Sequence, residues 1–218
     1  MQTITLEVTG VSKSFNRKSI FSEISFTLHR LNSLAVTGRN GSGKSTLLKI
    51  LAGVMSPSKG TVSLSYNNQN VPSSQRMNLI GFVAPYLQLY DEFTAWENLL
   101  MFRKIRGVQN TDEDLHQLIK RMNLHEREHD LVRTFSSGMK QRLKYTFALV
   151  HRPPILYLDE PTVNLDQEGT ALVHQIIEEQ KQHGILIIAT NEKSEVSFCD
   201  NVLDLDAGLK TLQKTATV

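Results

Sequence analysis

"VTGRNGSGKSTLLKILAG", Val36 to Gly53, places glycines at 38, 41, 43 and 53 among lysine and hydroxyl side chains, a composition unsuited to a packed core. The apolar "SLAV" leads into it and the periodic "TLLKILAG" leads out, so the stretch reads as strand, glycine-rich turn and helix. Gly38, Gly43, Lys44 and Ser45 satisfy the pattern G-x-x-x-x-G-K-[ST] in the strand-to-helix context that the pattern requires. Successive backbone N–H groups of such a turn wrap phosphate oxygens, and the following helix points the positive end of its dipole at them. Arg39, Asn40, Gly41, Ser42 and Thr46 complete the cradle, with Gly41 keeping a side chain out of it. Lys44 adds a point charge toward the β and γ phosphates, and the Ser45 hydroxyl suits Mg²⁺. The stretch is built to hold a nucleoside triphosphate with Mg²⁺.

Two further motifs stand downstream. "SSGMKQRL", Ser136 to Leu143, opens a helix expected to run through "KYTFALVH" until Pro153 and Pro154 stop it. "ILYLDEPTVNLD" then reads as a buried strand ending in the adjacent acids Asp159 and Glu160. In order and spacing, the phosphate loop, "FSSGMKQ", "LDEP" and "NLD" resemble the ATP-binding-cassette (ABC) ATPases over about residues 2 to 210.

The resemblance implies that two nucleotide-binding domains pair head to tail, each completing the other's ATP site. Ser136 and the amides of Ser137 and Gly138 would then meet the γ-phosphate bound by the partner. Asp159 would hold Mg²⁺ through water, and Glu160 would orient and polarise the attacking water. Asp166 would touch the partner. Phe15 stands where the family stacks an aromatic ring on adenine, although a core role for it stays open.

Two family features are replaced. A glutamine that touches Mg²⁺ and water is expected where Pro85 stands, and proline has no side-chain donor or acceptor. Gln88, three residues on, could serve only in a rearranged loop. The switch histidine expected at the end of "GILIIATNE" is Asn191, which can donate to a phosphate oxygen but cannot carry a proton. Glu160, Lys44 and Asn191 are thus the catalytic candidates, and ATP binding is expected to be intact with slowed hydrolysis.

With 218 residues, 40% of them apolar, the chain can bury one core with a small appended lobe. "TITLEV" and "GTVSLSY" alternate like half-exposed antiparallel strands, whereas "SLAVTG", "ILYLD" and "ILIIAT" are continuous apolar runs suited to parallel strands covered on both faces. The expected fold is α/β, a phosphate-loop core with parallel sheet, antiparallel flank and inserted helical subdomain. Residues 1–85 and 151–218 form the core and 86–150 the helical part. Thr94 with Glu97 makes a capping box ahead of "AWENLLMFRKIR", Gly107 can stop that helix, and Thr111 caps the next one.

The net charge of +2 and pI of 8.6, with both signs interspersed, argue against nucleic acid as a partner. Seven basic and seven acidic residues between Thr94 and Arg133 leave the helical lobe neutral, as a protein-docking surface requires. Cys199, the single cysteine, reads as a buried thiol in a reducing compartment. No apolar run approaches the roughly 20 residues that span a bilayer, and the N-terminus lacks the pattern of a signal peptide. These readings converge on a dimeric ATPase subunit, identical or paralogous in its pairing, at the cytoplasmic face of the inner membrane. It would drive separate transmembrane permease subunits, and its short form resembles exporters of the ABC-2 type, the haem exporter among them. The alternatives are an ATP sensor with little hydrolysis and a soluble ABC ATPase acting on ribosomes or DNA; the second cassette, basic linker or long coiled coil of such soluble forms is missing.

Overall fold

The structure, a computed structural model, describes residues 3–207 and 212–214; the remaining positions of the expected 1–218 domain lie outside the described residues. The chain runs β1 (Ile4–Phe15), β2 (Lys18–His29), β3 (Ser33–Thr37), α1 (Lys44–Leu51), β4 (Lys59–Tyr66), β5 (Gln69–Asn70), α2 (Ser73–Arg76) and β6 (Ile80–Val83). It continues with α3 (Ala95–Arg106), α4 (Asp112–Arg121), α5 (Ser137–Leu149), β7 (Ile155–Asp159), α6 (Gln167–His183), β8 (Ile185–Ala189), α7 (Lys193–Val196), β9 (Asn201–Asp204) and β10 (Gln213–Lys214).

The continuous apolar runs become the middle of a six-stranded sheet in the order β10-β9-β3-β8-β7-β6, parallel except at β10. Their residues are buried on both faces by alternation. Ile155 and Tyr157 of β7 point into a core shared with α1 and the antiparallel strands, while Leu156 and Leu158 point into a second core shared with the helices. The alternating segments instead form a separate antiparallel sheet, β2-β1-β4-β5, in which Ile4, Leu6 and Val8 face inward. Helix α1 lies in the first core between the sheets, and the Tyr157 hydroxyl donates to its Leu51 carbonyl at 3.2 Å.

The helical part starts where the sequence places it. The Thr94 hydroxyl accepts from the Glu97 amide at 3.1 Å and the Glu97 carboxylate accepts from the Thr94 amide at 2.8 Å, a complete capping box, while Gly107 ends α3 in the left-handed region. Thr111 caps α4, and Leu115, Ile119 and Met122 turn from it into the second core. Helix α5 departs from expectation at its far end. It stops at Leu149, and Arg152, with φ of 48°, turns the chain before the two prolines are reached.

Candidate functional site

The phosphate loop joins the end of β3 to α1. Gly43 precedes the helix with φ of 103°, and a Cβ there would lie 2.5 Å from Ile20 Cγ2, so backbone conformation and crowding both demand glycine. At Gly41, with φ of 83°, a Cβ would meet nothing within 4 Å; conformation alone sets that residue. The first amides of α1, at Lys44, Ser45 and Thr46, lack carbonyl partners within the helix by its geometry, because Leu47 is the first to donate back to Gly43. Lys44 is buried and its Nζ donates to the Gly38 carbonyl at 2.6 Å and the Arg39 carbonyl at 3.4 Å, which holds the ammonium within the loop. Arg39 is 85% exposed and ion-paired with Asp206. Asp206, which also accepts from the Arg39 amide, is a tether that belongs to no sequence motif.

Strand β7 delivers Asp159 to the same end of the sheet. Asp159 is 2% exposed, and neither carboxylate oxygen makes a hydrogen bond of standard geometry. Desolvation raises its pKa; the nearby Ser45 hydroxyl opposes this, Glu160 adds to it, and Tyr86 and Lys49 oppose it. The Ser42 hydroxyl is likewise buried without a partner. A carboxylate without hydrogen bonds beside a serine hydroxyl and a phosphate cradle fits a hydrated Mg²⁺, which takes few protein ligands and completes its shell with water and phosphate oxygens. Among the described residues no group of three or more His, Cys, Asp or Glu could hold a metal alone.

Glu160 follows in the left-handed region, φ of 50°, with its amide donating to the Ala189 carbonyl at 2.9 Å and its side chain exposed. A non-glycine residue in that region is uncommon, and here it turns the carboxylate out of the sheet. Asn191, just past β8, donates from Nδ2 to Asn40 Oδ1 at 3.3 Å, so it reaches the phosphate loop. Behind them, Thr162 donates to Glu195 Oε1 at 2.6 Å, linking the turn after Glu160 to α7. Glu195 is 2% exposed and belongs to no sequence motif.

Ser136 caps α5 by accepting from the Met139 amide at 3.2 Å, and Ser136 and Ser137 are exposed. Among the described residues, none of Ser136, Ser137 and Gly138 has a hydrogen bond to the phosphate loop of its own chain. Asp166 is the N-cap of α6, accepting from the Gly169 amide at 2.8 Å, a structural task distinct from the expected partner contact. Phe15 ends β1 at 44% exposure with Lys13 Nζ 4.8 Å from its ring centre. Gln88 lines a groove of about 350 Å³ with Tyr86, Leu87, Tyr90, Met101 and Phe147. A larger cleft of about 780 Å³, bordered by Arg30, Arg121 and Arg152, shares no residue with the phosphate loop.

The loop, the acid pair and the serine-capped helix on one α/β frame define a nucleotide-binding cassette. The sequence profile described as ABC transporter matches residues 21–163, and the chain belongs to that family. It is 33% identical to the uncharacterized ABC transporter ATP-binding protein YybJ of Bacillus subtilis, with 96% of each chain covered. It is 32% identical to the Nod factor export ATP-binding protein I of Bradyrhizobium diazoefficiens, covering 96% of this chain and 70% of that one. Among solved structures, a dimeric post-hydrolysis state of an ATP-binding cassette bound to ADP and Pi superposes with a TM-score of 0.83 at 19% identity, covering 98% of this chain and all of that one. The protein is an ATP-binding subunit of an ABC transporter.

Proposed function

We propose that the chain is the ATP-hydrolysing motor of an exporter: two copies, or one copy and a paralogue, close head to tail over ATP and drive separate transmembrane subunits. One observation carries this reading. The phosphate loop, the Asp159–Glu160 pair and the exposed, serine-capped start of α5 occur in one chain, yet the serines have no hydrogen bond to that chain's own loop. In the proposed reaction water attacks the γ-phosphorus, its proton is drawn to Glu160, and ADP departs. Lys44 and the α1 amides neutralise charge on the phosphates, helped across the interface by the amides of Ser137 and Gly138. Mg²⁺, held by Ser45 and through water by Asp159, would screen the phosphate charge.

Residues 1–85 and 151–218 act as the nucleotide-holding core and 86–150 as the helical subdomain, the two sharing the second core. The groove lined by Gln88 supports docking of a membrane partner, since Val54 at 60% and Ile105 at 72% exposure leave apolar surface uncovered around it. The neutral charge of the lobe fits a protein partner rather than a polyanion. Among the described residues no helix is long and apolar enough to cross a membrane, which fits a subunit placed on the cytoplasmic face. The word export in the name of the Bradyrhizobium relative supports the direction.

Turnover is slow in this account because Asn191 cannot shuttle a proton and Pro85 offers no amide. A positioned acid–base group is worth about 10²–10⁴-fold. Steady-state phosphate release should therefore be measurable but low for the wild type, abolished by Glu160→Gln, and raised at least a few-fold by Asn191→His. Absence of phosphate release from both wild type and Asn191→His, even with membrane partners supplied, would favour the ATP-sensor reading that Pro85 and Asn191 motivate.

A further inference from the structure

Glu160 keeps a backbone φ of 50°, which a residue other than glycine holds only where its surroundings fix it from several sides. Its own amide is tied to the Ala189 carbonyl of β8 at 2.9 Å. The two residues that follow are held by side chains from two different helices. The buried Tyr145 hydroxyl of α5 donates to the Pro161 carbonyl at 2.9 Å, and the Thr162 hydroxyl donates to Glu195 Oε1 of α7 at 2.6 Å. Glu195 is itself buried, and its Oε2 has no hydrogen-bond partner among the described residues. If only volume were needed there, an apolar side chain would fill it without leaving a carboxylate oxygen unpaired. The bond to Thr162 is what the carboxylate supplies.

We propose that Glu195 is a positioning residue for ATP hydrolysis: through Thr162 it holds the turn after Glu160 and so fixes the carboxylate that faces the attacking water. The inference rests on the reading of Glu160 as the water-activating group. Four residues before Glu195, Asn191 donates to Asn40 of the phosphate loop at 3.3 Å, and between them the Glu192 amide donates to the Thr190 hydroxyl at 2.9 Å. The short segment around α7 therefore touches the phosphate loop at one end and the turn of the acid pair at the other. Glu160 and Asn191 are referenced to the same support.

The test is steady-state phosphate release by the full chain, read as kcat and KM for ATP, with thermal melts alongside. Thr162→Val keeps the shape and removes the donor. It should lower kcat on the order of 10- to 100-fold and leave KM for ATP unchanged, because a misplaced reacting group slows the step without loosening the phosphate cradle. Thr162→Ser, which retains the hydroxyl, should turn over near the wild-type rate. Thr162→Val combined with Glu195→Met removes both polar partners, so it should regain the melting temperature lost in the single variant while kcat stays low. A kcat that returns together with the melting temperature would mark the bond as packing support and overturn the proposal, as would wild-type turnover in Thr162→Val. If the single variant does not fold, the double variant decides alone: wild-type kcat overturns the role, and a lowered kcat at an unchanged melting temperature upholds it. Glu160→Gln tests the premise separately. Should it keep wild-type turnover, or should wild type release no phosphate, the water-activating reading falls and the role of Glu195 with it.

Discussion

Asp159 is held at 2% exposure at the end of an apolar strand, where its carboxylate receives no standard hydrogen bond. Burial disfavours the anion, so the folded chain holds this proton more tightly than the unfolded chain does. For a carboxyl raised in this way, the favourable contribution is complete below the unfolded value of 3.8 and is lost as pH rises through the higher folded value. At neutral pH Asp159 thus destabilises the ligand-free fold. Asp159→Asn should melt higher than wild type at pH 7, and the gain should shrink as pH is lowered toward the unfolded value. Mg²⁺ with nucleotide should narrow the difference at pH 7 by stabilising the wild type alone. Thermal melts giving the variant an equal or lower melting temperature at pH 7 would contradict the account of this residue.

Helix α3 belongs to the part of the fold most legible in sequence, because its signals are local. Thr94 and Glu97 are three residues apart, and their reciprocal bonds need nothing beyond their own turn. Thr94→Ala should cost about 1 kcal/mol, which for a chain of this size lowers the melting temperature by about 2–4 °C. An unchanged melt would mean that the cap is replaced from outside the turn. The phosphate loop and the three buried strands are legible for the same reason: each is a contiguous local pattern, a fixed spacing in the loop and an unbroken apolar run in the strands. What sequence could not disclose depends on distant segments meeting. Asp206 reaches Arg39 across 167 positions, Thr162 reaches Glu195 across 33, and Tyr86 meets Lys49 only through the path of the loop after β6. Asp166 is the intermediate case. Its place before a helix signals a cap as strongly as a partner contact, and only the hydrogen bond to Gly169 assigned the first task.

At the scale of the whole molecule, two hydrophobic cores lie on the two faces of the parallel sheet. The first encloses α1 beneath the phosphate loop, and the second joins the sheet to α3, α4 and α5, so the serine cap stands at the start of a helix packed against both the sheet and the helical part. The segment Ala84 to Tyr86 lies at their seam, pinned by a lysine from each side. The family profile, the relatives and the fold agree on an ABC cassette. The central claim goes further: a single chain holds two half-sites that become complementary only between chains. Analytical ultracentrifugation of Glu160→Gln, with and without Mg-ATP, tests it most directly, since the variant keeps the nucleotide contacts and removes the carboxylate that activates water. The account predicts a monomer or weakly associating species without nucleotide and twice the monomer mass with Mg-ATP, reversed by Lys44→Ala in the same chain. A variant that binds Mg-ATP and yet sediments at monomer mass would contradict it.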